Sequence, residues 1–266
     1  MPYAAGERKR TTMPQLVAQK GGEPIVMVTA YDATMAKLVD EFVDAILIGD
    51  SLGMVVQGLE TTIPVTLEEI IYHTRMVVRG ARFSCIVADL PFNTYNTGPA
   101  EAVFSAGRLL KEGGAHAVKL EGGLAVAPQV KAISEAGVPV VAHIGVTPQA
   151  IHALGSYGKQ GKTDAQAKYQ LDSAKALAQA GASMIVLENV PHELARQITE
   201  AIPIPTIGIG AGPHCDGQVQ IFHDLLGLFP DFTPRHAKRM FEGGEGIRDA
   251  IQRYATEVRE RSFMSK

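Results

Sequence analysis

Ala45-Ile46-Leu47-Ile48-Gly49-Asp50-Ser51-Leu52-Gly53-Met54 begins as a run of mostly branched apolar residues, too short for a typical helix, and stops abruptly at Gly-Asp-Ser. Such a run reads as a strand buried on both faces, as in a parallel sheet. The stop leaves a carboxylate, Asp50, and a hydroxyl, Ser51, at the carboxyl end of that strand. Parallel α/β folds place their chemistry at that end.

The same phrasing recurs along the chain. Apolar runs at 25–30, 85–88, 116–120, 138–143, 184–188 and 204–209 read as further strands, and a short apolar segment at 225–229 as an eighth. Between them lie helical patterns, several ended by glycine, as at Gly80, Gly137 and Gly181. Thr66-Leu67-Glu68-Glu69 has capping-box spacing with a Val65/Ile70 staple, and Asp32 caps a helix whose Met35, Leu38, Val39 and Phe42 form an apolar stripe. Eight strands alternating with helices predict a (β/α)8 TIM barrel, a fold of roughly 250 residues. A doubly wound open sheet is the alternative, but it would gather its polar strand ends at one switch point, whereas here they recur along the whole chain.

The totals agree with one globular domain over 1–266, with an N-terminal helix at about 11–20 and a carboxy-terminal helical extension bearing Ile247, Ile251, Tyr254 and Val258 on one face. With 266 residues, 46% of them hydrophobic, the chain can bury a large core. Twenty-five Lys and Arg against twenty-eight Asp and Glu leave a formal charge of −3, which argues against a nucleic-acid or membrane-surface partner. Residues 1–10 are polar and basic without a following apolar core of signal-sequence length, and no run is long enough to span a bilayer. Cys85 and Cys215 have no motif spacing, so Cys85 reads as a small buried hydrophobe and the chain as cytoplasmic.

Three successive strands after the first end in carboxylates, Asp50, Asp89 and Glu121. In a barrel these converge at the mouth, where their mutual repulsion calls for a hard divalent cation with oxygen ligands, Mg2+ before zinc. Each could instead be a turn or capping residue, and position more than residue type favours function. Lys119, two residues before Glu121, shares its face, and pairs there with a substrate carboxylate or with a neighbouring Asp. Glu188 ends the sixth strand across the mouth and reads either as a general base or as one more strand-end carboxylate in a solvated loop, which spacing alone does not separate. His143 ends the fifth strand, where a structural role outweighs a ligand's. Gly208-Ile209-Gly210-Ala211-Gly212 could cradle phosphate or simply permit close packing. The long segment 145–163 reads as a functional or mobile loop, with Lys159 and Lys162 solvated.

Eight motifs in order then carry a resemblance: GDSLGM at 49–54, IPVTL at 63–67, YHT at 72–74, ADLPF at 88–92, KLEGG at 119–123, HIGVTPQ at 143–149, LENVP at 187–191 and IGIGAG at 207–212. Together they resemble the ketopantoate (3-methyl-2-oxobutanoate) hydroxymethyltransferase family, over most of the chain from about 11 to 229. The resemblance implies a barrel of the phosphoenolpyruvate/pyruvate type, with Mg2+ held by Asp50, Asp89 and Glu121. It implies an α-keto acid bound by Asp50, Ser51, Asp89 and Lys119, Glu188 as proton acceptor, and His143 lining the site. It further implies 5,10-methylenetetrahydrofolate as one-carbon co-substrate, a Mg2+-stabilised enolate, 2-dehydropantoate as product in pantothenate and coenzyme A biosynthesis, and a large homo-oligomer, a decamer. Asn189 departs from members that carry Cys there, which touches only local packing. The tail beyond Phe229 matches poorly. A phosphoenolpyruvate-type lyase or mutase, a silent barrel and a phosphate-binding barrel are the competing readings.

Overall fold

A computed structural model describes residues 9–229 and 237–259; residues 1–8 of the basic amino terminus, and 230–236 and 260–266 of the tail, lie outside the described residues. Eight parallel strands close a barrel in chain order: β1 (Ile25–Thr29), β2 (Ala45–Ile48), β3 (Cys85–Asp89), β4 (Ala117–Glu121), β5 (Val140–Gly145), β6 (Met184–Glu188), β7 (Thr206–Ile209) and β8 (Gly217–Gln220). The helices are α1 (Met13–Ala18), α2 (Ala33–Val39), α3 (Leu52–Val55), α4 (Leu67–Gly80), α5 (Pro99–Arg108), α6 (Ala127–Glu135), α7 (Ile151–Leu154), α8 (Asp164–Gln179), α9 (His192–Ala201), α10 (Phe222–Leu225) and α11 (Gly243–Arg259). The chain forms two compact units, divided between Val219 and Gln220. In the second, Ile247, Ile251, Tyr254 and Val258 of α11 are all exposed.

Successive side chains of a strand point to opposite faces. In β2, Ala45 and Leu47 turn inward and join Cys85 and Val87 of β3, Ala117 of β4, Val141 of β5, Met184 and Val186 of β6 and Ile207 of β7 in one core cluster. Met13 and Leu16 of α1 belong to the same cluster. Continuing the inward alternation upward places Asp89 above Val87, Lys119 and Glu121 above Ala117, His143 above Val141 and Glu188 above Val186. Below this polar layer the barrel is filled by hydrocarbon, and burial pushes the Cys85 thiol up to about 12.

The capping box at α4 forms as its spacing predicts, Thr66 Oγ1 accepting from Glu69 N–H while Glu69 accepts from Thr66 N–H at 2.7 Å. Asp32 caps α2 through Met35 N–H at 2.7 Å. The stripe on α2 is a correction: the helix stops at Val39, and Leu38 and Phe42 are exposed while Ala36 is buried.

The eighth strand is a second correction. It is Gly217–Gln220, and 222–225 is the short helix α10, so the apolar segment 225–229 is not a strand. A Cβ at Gly217 would stand 2.4 Å from Ile25 O, so β8 needs glycine where it closes on β1. Its alternating burial and its two glutamines hid it from a search for apolar runs.

Candidate active site

Strand register assembles the mouth. Asp89 of β3 lies level with Lys119 of β4, and Glu121 of β4 level with His143 of β5. The Lys119 ammonium is 3.0 Å from Asp89 Oδ1 and 3.9 Å from Glu121 Oε1. Asp89 Oδ2 accepts the Asp50 N–H at 3.0 Å, which pins the turn after β2 to β3. His143 stands between two carboxylates, Nδ1 3.3 Å from Glu121 Oε1 and Nε2 3.2 Å from Glu188 Oε2. Ser51 Oγ shares a 2.8 Å hydrogen bond with the buried Tyr31 hydroxyl. Asp50, Ser51, Asp89, Lys119, Glu121, His143 and Glu188 are thus gathered in one cup at the carboxyl ends of β2 to β6.

The cup is buried and short of positive charge. Burial, and then repulsion from Asp89 and Glu121, raises the Asp50 carboxyl well above the ordinary range. Burial also raises Asp89, against the pull of Lys119. Burial opposes ionisation of Glu121 too, but His143 and Lys119 outweigh it and hold that carboxyl low. For Lys119, burial is outweighed by Asp89, Glu121 and Asp50, so the ammonium stays charged. Burial and Lys119 oppose a charge on His143, yet Glu121 and Glu188 raise it to about 9, making it an imidazolium bridging the two.

These residues fit a hard cation. Among the described residues Lys119 is the one cation beside Asp89 Oδ1, and it does not offset the burial of that carboxyl, while Asp50 is the carboxylate left least compensated. Two carboxylates offering oxygen alone suit Mg2+, which keeps positions for water and substrate, better than a softer metal. Among the described residues no three His, Cys, Asp or Glu side chains form a ready-made metal cluster, and Glu121 is already held by His143 and by Gln149 N–H. Asp50 and Asp89 are therefore the direct candidates, with Glu121 behind them.

Two residues of the cup escaped the sequence reading. The Gln149 side-chain amide donates to Asp50 Oδ2 at 2.8 Å and to Leu90 O at 3.0 Å, and its Oε1 accepts from the Tyr95 hydroxyl at 2.6 Å. Tyr95 Oη in turn lies 3.2 Å from Glu121 N–H and accepts from it. Gln149 closes the HIGVTPQ motif, which was the available signal; nothing in the residues around Tyr95 distinguishes it from an ordinary core aromatic.

The segment 145–163 is partly ordered by α7 and by a tight turn at Pro148–Ala150. Its remainder is tied to the end of β6 by Asn189, which adopts φ 47, donates its side-chain amide to Tyr157 O at 2.8 Å and accepts Gln160 N–H at 3.0 Å. Asparagine tolerates that left-handed backbone better than most residues. Lys159 and Lys162 are exposed, as expected. In the 208–212 segment, Gly212 O accepts from the Gln218 amide of β8 at 2.9 Å.

A closed (β/α)8 barrel with a buried acidic cup at the carboxyl ends of its strands, and a histidine-held carboxylate facing it, defines a barrel enzyme. Residues 10–266 match the family model described as ketopantoate hydroxymethyltransferase. The chain is 52% identical to the 3-methyl-2-oxobutanoate hydroxymethyltransferase of Moorella thermoacetica, over 97% of this chain and 96% of the relative. It is 51% identical to the enzyme of that name from Carboxydothermus hydrogenoformans, over 96% and 93%. Among solved structures it is similar to a phosphoenolpyruvate phosphomutase from Streptomyces platensis subsp. rosaceus, with a TM-score of 0.65, 16% identity and coverage of 96% and 90%. It is likewise similar to a phosphonopyruvate hydrolase, with a TM-score of 0.62, 12% identity and coverage of 96% and 89%. Those two likenesses speak for the barrel alone. The chain belongs to the ketopantoate hydroxymethyltransferase family and is a transferase. No described helix is long and apolar enough to cross a membrane.

Proposed function

We propose that the enzyme transfers a hydroxymethyl group from 5,10-methylenetetrahydrofolate to 3-methyl-2-oxobutanoate, giving 2-dehydropantoate and tetrahydrofolate on the route to pantothenate and coenzyme A. The observation that carries this reading is the pairing of an oxygen-only, positively undercompensated end of the cup, Asp50 and Asp89, with a separate carboxylate, Glu188, held by His143 at 3.2 Å.

Asp50 and Asp89, with Glu121 behind them, would hold Mg2+. When bound, the cation supplies a Lewis acid that polarises the keto oxygen and acidifies the neighbouring C–H. Lys119, beside Asp89 on the same inner face, offers the oxo acid's carboxylate a buried ammonium. Ser51, oriented by Tyr31, offers a hydroxyl to the same substrate. Glu188 accepts the C3 proton, and the His143 imidazolium keeps that carboxylate aimed into the cup. The C3–H bond breaks and a C3–CH2 bond forms to the one-carbon unit. The two carbon–nitrogen bonds that held the one-carbon unit to the folate break, water provides the hydroxyl group and one proton, and tetrahydrofolate leaves with that proton and the one from Glu188 on its nitrogens.

The reading is tested by incubating the two substrates with the enzyme and following 2-dehydropantoate and tetrahydrofolate together. Equimolar release that stops on chelation and returns with Mg2+ supports it; turnover without Mg2+, or without folate, contradicts it.

A further inference from the structure

Beside the cup lies a cavity of about 370 Å3, within the roughly 300–1,000 Å3 typical of ligand pockets. It is framed by the segments that follow β2, β3, β4 and β5, and its floor is Glu121 and Gln149. Asp50, Ser51, Asp89, Lys119, His143 and Glu188 are not among its described lining residues. The cavity is therefore a neighbour of the oxo-acid cup, joined to it where Gln149 donates to Asp50.

Its walls suit a flat ring. Phe92 is 42% exposed at the cavity, Ile63 adds apolar surface over the buried Tyr95, and Ala150 and Ala153 line it with small side chains. Phe92 is presented by a turn with its own bracing: Asn93 adopts φ 66 and donates its N–H to Asn96 Oδ1 at 2.7 Å, and the Thr94 hydroxyl donates to Pro91 O at 2.7 Å. A ring held out in this way loses water when another ring covers it. Asn96, Thr147 and His152 supply polar partners around the apolar walls.

We propose that this cavity is the donor subsite, holding the bicyclic ring of the reduced folate on Phe92 with its one-carbon unit turned toward the Glu121–Gln149 floor. The assignment rests on the folate-dependent reading above and adds to it the location of the second substrate. It separates the two ligands: strand-end carboxylates and Lys119 serve the acid, and the apolar walls beyond Gln149 serve the donor.

Phe92→Ala removes the platform and Ala153→Trp fills the cavity from an exposed position on α7, so both variants should fold, as circular dichroism would verify. Three quantities are measured: the Kd of tetrahydrofolate by calorimetry, the KM for 5,10-methylenetetrahydrofolate, and folate-free C3–H exchange of the oxo acid in D2O. The expected result is about a tenfold rise in the first two in each variant. Exchange should stay within about twofold, as befits changes outside the cup. Variants that bind tetrahydrofolate as tightly as the parent overturn the subsite, and so does exchange that falls in step with turnover, since the cavity would then serve the acid. A parent enzyme that binds tetrahydrofolate but shows no exchange contradicts the enolate chemistry instead, and the variants' Kd still decides the subsite.

Discussion

Gln149 donates its side-chain amide to Asp50 Oδ2 across 2.8 Å, joining the segment after β5 to the turn after β2 on the far side of β3 and β4. The same residue holds Glu121 Oε2 through its main-chain N–H at 3.0 Å. With Leu90 O and the Tyr95 hydroxyl taking the remaining side-chain bonds, every hydrogen-bonding group of the amide is used, which fixes its orientation. Gln149 is thus a positioning residue for two of the three acidic side chains.

Gln149→Leu should therefore weaken Mg2+ binding by roughly 10–100-fold, the usual cost of losing a partner behind a metal ligand. Tyr95→Phe, which keeps the amide but loses its brace, should cost less. Titration calorimetry with Mg2+ in the presence of the oxo acid measures both. A Gln149→Leu enzyme with lowered thermal stability but unchanged Mg2+ affinity would show that the residue serves the fold alone.

Gly145 ends β5 with φ +95, and a Cβ there would stand 2.2 Å from Glu188 O. Gly145→Ala must move the end of β6, and Glu188 with it. A loss of roughly 2–4 kcal/mol in urea unfolding is expected, from the strained backbone and the clash together. Activity should fall further than stability explains. Parent-like unfolding and turnover would mean that the two strand ends are free to separate.

His116 gives a pH dependence away from the cup. Burial, and then the Arg10 guanidinium, lowers its pKa to about 4. Its Nδ1 accepts the Ile86 N–H at 2.9 Å, a bond only an unprotonated nitrogen can accept. The unfolded chain's imidazole protonates near ~6.5, so in the window between the two values unfolding takes up a proton. The contribution of this histidine is whole above that window and is lost as pH falls through it. Because the ring is partly exposed, the loss should be only about 1–2 kcal/mol. The ring-proton NMR titration of His116 should have its midpoint near 4, and an unshifted midpoint would contradict the account.

The barrel was legible because its evidence is local. Buried parallel strands read as branched apolar runs, and the Thr66–Glu69 box and the glycine stops are short-range patterns. β8 was not, since its closure on β1 needs Gly217 for backbone approach and it carries a single apolar side chain, Val219. The exposure of Leu38 and Phe42 shows the converse limit, an apolar stripe that the fold leaves uncovered. In the site, strand-end position raised Asp50, Asp89, Glu121 and Glu188 as candidates, and their roles came from the resemblance. Tyr95 gave no signal, and Gln149 none beyond its place in the HIGVTPQ motif, because their roles depend on hydrogen bonds over separations of 99 and 54 residues. The bridging charge on His143 likewise follows from its distances to Glu121 and Glu188, which no spacing encodes.

The proposed reaction has Glu188 take the C3 proton of 3-methyl-2-oxobutanoate beside a cation held by Asp50 and Asp89. Its most direct test follows the C3–H signal of that acid by NMR in D2O, without folate, for the parent and for Glu188→Gln, each with Mg2+ and with chelator. Exchange is expected in the parent with Mg2+, with its loss on chelation and a rate at least about 100-fold lower in Glu188→Gln. Exchange that persists unchanged after chelation and in Glu188→Gln would contradict it.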